Sequence, residues 1–199
     1  ATQICKIIFS STMRIKNVPR LLLFFFLLVF SNNLNASSSW SPALEGNKII
    51  LIRHALAPGS GDPPGFKIKD CKTQRNLDER GINQAKEIGK LFRDNQIPID
   101  KVLSSQWCRC KDTAFHAFEE FKEFSALNST FSARFSQNES KQAKKLKRYV
   151  KKWDGKGKNL ILVTHYVIIR AMTGRAPNSG EIVITDKDFK ILSTIKTSY

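Results

Sequence analysis

The stretch Lys48–Gly59, KIILIRHALAPG, governs how the rest of the chain is read. Ile49 to Ile52 is an uninterrupted apolar run in which three of four residues are β-branched. Such a run suits a strand covered on both faces. It ends in Arg53-His54, and Ala57-Pro58-Gly59 then turns the chain. A buried strand that ends in two basic side chains is poor packing unless it delivers them to a site.

The arrangement recurs twice. Lys101–Ser104 (KVLS) reads as a second strand, ending in Ser104-Ser105 and leading to Arg109 at the start of a helix. Asn159–Thr164 (NLILVT) reads as a third, ending in Thr164-His165. Asp78 is suited to cap a helix running to about Asn95, with Ile82, Ala85, Ile88, Leu91 and Phe92 on one face. Arg109 to Phe124 is predicted as a helix with Ala114, Phe115, Phe118 and Phe121 toward the core. Glu139 to Trp153 is predicted as a basic helix, and Tyr166 to Thr173 as a helix stopped by Gly174. Leu127 to Asn138 reads as irregular. Glu181–Thr185 and Phe189–Ser193 read as strands of a final hairpin at a sheet edge. Strands alternating with helices predict an α/β fold, a three-layer α/β/α sandwich with a mostly parallel sheet.

In open α/β sheets the ligand sits at the carboxyl ends of the strands. The three strand ends therefore place Arg53, His54, Arg109 and His165 in one pocket. His116 lies inside a helix and reads as a half-buried or surface residue. Arginine forks match the oxygens of a phosphoryl group, and a neutral imidazole can attack phosphorus as a covalent nucleophile. Such a site calls for no metal and no cofactor.

Four motifs in order, LIRHA, QRNLDERGINQA, SSQWCRCKDTA and LVTHYV, resemble the histidine phosphatase superfamily, the fold of phosphoglycerate mutases and phosphohistidine phosphatases. The resemblance spans about residues 48–185. It implies a phosphoglycerate mutase-like fold and hydrolysis of a phosphomonoester or phosphoramidate through a phosphohistidine on His54. It implies that Arg53, Arg109 and, before the helix entry Asn76-Leu77-Asp78, Arg75 bind the phosphoryl group, and that His165 bonds a phosphoryl oxygen. Arg80 stands close to Arg75 in sequence. Ala55 replaces the glycine usual after Arg-His. Ser105 and Thr113 are expected to shape the turn and cap the helix. Members of this superfamily often carry a carboxylate general acid after the second arginine motif, yet LNSTFSARFSQN (127–138) has none. Glu119, Glu120 and Glu123 read as solvated, which leaves Glu181 as the candidate acid. Without a strong acid the site suits good leaving groups, and the absence of a long insert argues for an open pocket and against a mutase. An anion-binding pseudo-enzyme of the same fold is the alternative.

Beyond the first 36 residues the cysteines are Cys71, Cys108 and Cys110. A disulfide from Cys71 to Cys108 or to Cys110 would tie two arginine-bearing segments together. The cysteines show neither CxxC nor HxH spacing for zinc. Nor does Cys108 or Cys110 have an arginine six residues on, as a cysteine phosphatase loop would.

The N-terminus has its own signature. Arg14, Lys16 and Arg20 precede the ten-residue apolar run Leu21–Phe30, followed by a small polar stretch. That is the pattern of a cleavable signal peptide over residues 1–36, with the phosphatase domain at 37–199 and residues 1–12 a mis-called start before Met13. Ten apolar residues are too few to span a bilayer, so the mature protein is expected to lack a transmembrane segment and to be periplasmic or secreted. The full chain has 33 basic and 17 acidic residues, formally +16. Beyond residue 36 there are 29 basic against 17 acidic, or +12. Lys141–Lys152 (KQAKKLKRYVKK) concentrates seven of these charges. The balance favours a small phosphorylated substrate and weak electrostatic contact with an anionic envelope surface, without sequence-specific nucleic-acid binding.

Overall fold

Ile49–Arg53 forms β1 at the middle of a six-stranded sheet, and its alternation divides the core. The computed structural model describes residues 39–198; the expected leader lies outside them. A short helix α1 (Ser41–Leu44) precedes β1. Helix α2 (Glu79–Asp94) leads to β2 (Ile99–Ser104), and α3 (Cys108–Phe118) to the two-residue β3 (Lys122–Glu123). After α4 (Ala133–Ser136) and α5 (Glu139–Lys152) come β4 (Asn159–Thr164), α6 (Tyr166–Thr173) and the strands β5 (Ile182–Thr185) and β6 (Ile191–Ile195). The strand order is β3-β2-β4-β1-β5-β6. β1, β2, β3 and β4 run parallel, while β5 pairs antiparallel with both β1 and β6. The mostly parallel three-layer sandwich expected from the sequence is present.

Ile50 and Ile52 pack on one face with Ile88 and Phe92 of α2 and Ala114 of α3. Ile49 and Leu51 pack on the other with Leu146 and Val150 of α5 and Ile168 and Ile169 of α6. All four strand residues are fully buried, each contributing roughly 1.5–3 kcal/mol of burial. A strand lined by helices on both faces has no use for alternating polarity, which is why β1 and β4 read as continuous apolar runs.

Helix boundaries follow local chemistry. Asp78 caps α2, its Oδ1 accepting from the Gly81 N–H at 2.9 Å. Gly174, at φ 80°, ends α6. At Gly81 and Gly89 an added Cβ would meet the carbonyls of Leu56 and Ala117 at 1.9 and 2.2 Å, so α2 can lie this close to its neighbours only with glycine there. Four expectations need correction. The helix from Arg109 stops at Phe118, where Glu119 turns at φ 65°, and Lys122–Glu123 forms an edge strand instead of continuing to Phe124. Phe115, expected inward, is 56% exposed, because the apolar stripe of α3 runs through Cys110, Ala114 and Ala117. The final strand lies two residues later than expected, at Ile191–Ile195. Within Leu127–Asn138, expected to be irregular, the four residues of α4 are helical.

Candidate active site

The carboxyl ends of β1, β2 and β4 lie side by side, with Arg53 in register with Thr164 and Ser104 with Val163. Each strand hands its next residue to a common cleft. A pocket of about 110 Å³ is lined by Arg53, His54, Arg75, Arg109 and His165, with Gly59, Ser60, Gly61, Ser129, Phe131 and Tyr166 around them. The five residues expected from the sequence to bind or attack a phosphoryl group are thus together. His116 and Arg80 are not among the lining residues.

His54 is 2% exposed. Its Nδ1 lies 2.8 Å from the Ala55 carbonyl. A carbonyl can only accept, so Nδ1 carries the proton and the lone pair is on Nε2, the tautomer a nucleophile requires. Burial, reinforced by the positive charge of Arg109, Arg53 and Arg75, holds the imidazole well below its usual range and outweighs the Ala55 bond. His54 is therefore neutral at pH 7. Ala55 fits without strain: it lies outside the positive-φ residues, and its N–H donates to Thr113 Oγ1 at 2.9 Å. Thr113 in turn donates to the Arg109 carbonyl at 2.7 Å, joining the end of β1 to the first turn of α3.

His165 is also buried, its ring 5.5 Å from that of His54. Its Nε2 meets Ser105 Oγ at 2.9 Å, so Ser105 holds this imidazole as well as shaping the turn. Burial first, then Arg109, His54, Arg75 and Arg53, keeps His165 neutral too.

The arginines are held by backbone carbonyls. Arg53 Nη1 donates to the Pro177 carbonyl at 2.9 Å, and its guanidinium lies 5.3 Å from the Tyr166 ring centre. Arg75 donates through Nε to the Gly61 carbonyl at 2.9 Å and through Nη1 to that of Ala57. Burial and the nearby Arg109 lower its pKa from the ordinary guanidinium value. Arg109 is 3% exposed, and its buried Nε has no hydrogen-bond partner among the described residues. A buried donor left so costs about 1–3 kcal/mol, which an anion in the cleft would offset.

One carboxylate in this region escaped the sequence reading. Asp62 Oδ1 accepts from Arg109 Nη1 at 2.6 Å, and Oδ2 accepts from the Trp107 indole N–H at 2.9 Å. It fixes the Arg109 fork from behind. The available signal was an acid in GSGDPPG, the loop between the Arg-His strand and Arg75, but loop residues carry no periodicity that shows which way they point. Glu181, the acid expected from the sequence, does not line the pocket. Its carboxylate is 1% exposed and fully engaged, accepting from Arg175 Nε at 2.8 Å, from Arg175 Nη2, and from the Asn178 N–H at 2.9 Å. Its place beside β1 comes from its backbone carbonyl, which accepts from the Arg53 N–H. Glu181 is thus not positioned as a proton donor. Among the described residues no carboxylate lines the pocket.

Cys71 is disulfide-bonded to Cys108, and Cys110 is free. The Gln74 side chain runs parallel to the bridge, accepting from the Cys108 N–H at 3.0 Å. Together they clamp the segment before Arg75 onto the turn that starts Arg109. Cys110 lies 3.5 Å from His165 Nε2, and burial pushes its thiol up to about 12, so it is a packed side chain and not a nucleophile. Among the described residues no group of three or more His, Cys, Asp or Glu is arranged to hold a metal ion.

Residues 49–128 match the family model of the histidine phosphatase superfamily (branch 1). Over that span the chain is similar to this superfamily. Solved structures agree in fold. A phosphoglycerate mutase from Thermus thermophilus aligns at a TM-score of 0.53 and 16% identity, covering 76% of this chain and 99% of its own. TTHB049 from the same organism aligns at 0.53 and 15%, with the same coverage. A proposed phosphohistidine phosphatase, SixA from Agrobacterium tumefaciens, aligns at 0.50 and 21%, covering 75% of this chain and 98% of its own. No curated protein sequence matches the chain at a significant level. Within the superfamily match fall Arg53, His54, Arg75 and Arg109; His165 lies beyond it and joins the site through β4.

Proposed function

We propose that the protein is an exported phosphatase that hydrolyses phosphomonoesters or phosphoramidates through a covalent phosphohistidine on His54. The observation that carries this is a buried, neutral His54, protonated on Nδ1, in a small pocket with three arginines. Nε2 attacks phosphorus as the bond to the leaving oxygen or nitrogen breaks, and the leaving group takes its proton from solvent. Water then attacks the phosphorus, the P–N bond returns its electrons to Nε2, and inorganic phosphate departs. Arg53, Arg75 and Arg109 would stabilise charge on the equatorial oxygens in both steps. Neutral His165 would bond one of them.

The lack of a carboxylate among the described lining residues sets a preference. Proton donation contributes typically about 10²–10⁴-fold when the leaving group is poor. Aryl phosphates, acyl phosphates and phosphoramidates need it least. The signal-like pattern of residues 1–36 favours export to a periplasmic or outer compartment, and the Cys71–Cys108 bridge suits an oxidising one.

The test is phosphate release from p-nitrophenyl phosphate, with acid-quenched protein examined for a phosphoryl adduct. Turnover with an acid-labile adduct, both lost in His54→Asn, is the expected result. Tight phosphate binding without turnover would make the protein an anion-binding pseudo-enzyme instead.

A further inference from the structure

Helix α5 takes no part in the pocket, yet it carries seven cations between Lys141 and Lys152, all exposed. Among the described residues none of the seven is in an ion pair. Like charges stand four apart at Lys141/Lys145, Lys144/Arg148, Lys147/Lys151 and Arg148/Lys152, and each such pair disfavours the helix. Its stability comes from the opposite face, where Leu146 and Val150 are fully buried. Repulsion of this kind is relieved by anions.

The arrangement says which anions. Lys141, Lys145, Arg148 and Lys152, spaced four, three and four, fall within an arc of roughly 60° over about 16 Å of helix. Four cations in one stripe meet a flat array of anions together, whereas a lone phosphate would engage one or two. Beside the stripe a groove of about 570 Å³ is lined by Phe124, Tyr149 and Trp153 together with Lys101. Two of its three rings already carry a cation. Lys145 Nζ lies 5.2 Å from the centre of Phe124, and Lys187 Nζ 5.1 Å from that of Trp153. Phe124 and Trp153 hold these ammonium groups in place, which favours a surface that reads charge over one that stacks bases. The exposed large apolar side chains, Leu44, Phe115, Phe131 and Leu192, all lie off α5, so contact involves no apolar insertion from this helix.

We propose that this face of α5 docks the protein on an anionic lipid surface through its phosphate headgroups. The attraction is electrostatic, close-ranged and salt-sensitive. It is independent of the chemistry assigned to His54.

The experiment is co-sedimentation of the protein with phosphatidylglycerol–phosphatidylcholine vesicles and with phosphatidylcholine vesicles, at low and high salt. Three variants are compared with the parent: K141E/K145E/R148E/K152E, the corresponding glutamine variant, and the control K69E/K86E/K190E/K196E, which changes net charge equally elsewhere. The apolar run Leu21–Phe30 is common to all four proteins, and its contribution appears equally on neutral vesicles. The parent is expected to bind anionic vesicles preferentially and to lose that preference in high salt. The α5 glutamate variant is expected to lose affinity by about a hundredfold or more, the glutamine variant by less, and the control little. Equal binding by parent and α5 variants overturns the proposal, as does an equal loss in the control. Salt-sensitive binding of a single-stranded oligonucleotide without vesicle binding also overturns it, in favour of nucleic acid.

Discussion

Two sets of cations in this protein are treated in opposite ways. Arg53, Arg75 and Arg109 are drawn into a cleft, and each is held by a carbonyl or by Asp62 before any ligand arrives. The cations of α5 stand exposed to water, and among the described residues none has an ion-pair partner. The pocket arginines lose hydration and rotamer freedom during folding, so a bound phosphoryl group meets a preorganised charge. The α5 cations stay hydrated and can act only together and at low salt. On the readings proposed above, the same formal charge would serve chemistry in one place and association in the other.

The sharpest test of this contrast is His54→Asn, which removes the proposed nucleophile but keeps a polar side chain. Turnover of p-nitrophenyl phosphate is expected to fall by roughly a thousandfold or more. Arg109→Ala should follow, with kcat lower by about 10²–10³. Residual turnover near the parental rate in either variant would break the assignment of the pocket.

Stability should show the same division. Reduction of Cys71–Cys108, or the double serine variant, opens a loop of 37 residues' separation. Urea unfolding should show a loss of up to about 4 kcal/mol on the chain-entropy account. Protonation is the second route. His54 and His165 have pKa values lowered well below 6.5 in the folded protein. The unfolded chain therefore binds more protons below pH 6.5, and stability falls as pH drops through that value, at up to about 1.4 kcal/mol per histidine per pH unit. For the same reason kcat/KM should keep its plateau below pH 6.5, because free His54 stays neutral there. A limb centred at 6.5 would show an exposed, ordinary imidazole.

Asp62→Asn should cost less than loss of Arg109 itself, about ten- to a hundredfold in kcat/KM, because the amide holds the fork without neutralising it. Rescue toward the parental rate by Asp62→Glu would mark a charge effect, and equal loss in both a geometric one. Least affected should be turnover of the α5 charge-reversed protein, within about twofold of the parent on a small soluble substrate, since exposed charges are screened.

Much of the pocket was legible because Arg53, His54 and His165 sit at strand ends. A doubly covered parallel strand must be apolar throughout, so Arg53-His54 and His165 stand out as its termination. What the sequence did not show lay in loops and in partner choice. Glu181 looked available because it follows a turn, but Arg175 and the Asn178 N–H had claimed both oxygens. Asp62 sits in a loop with no periodicity to mark it, and only the fold brings Trp107 and Arg109 onto its carboxylate. The edge strand at Lys122–Glu123 was hidden in a helix-like run of Phe and Glu, where pairing with Leu103 and Ser104 overrides helix propensity.

By itself the sequence determined the α/β sandwich, the three strand ends, and the two histidines and two arginines, Arg53, His54, Arg109 and His165, that these bring together. These follow from periodicity and residue chemistry, which are local. The tertiary structure decided which cysteine pairs, which nitrogen of His54 keeps its lone pair, which acid braces Arg109 and which one is spent on Arg175. Each depends on where a side chain's polar atoms find partners across the fold, and hydrogen-bond satisfaction in a buried cleft is a property of the whole packed molecule.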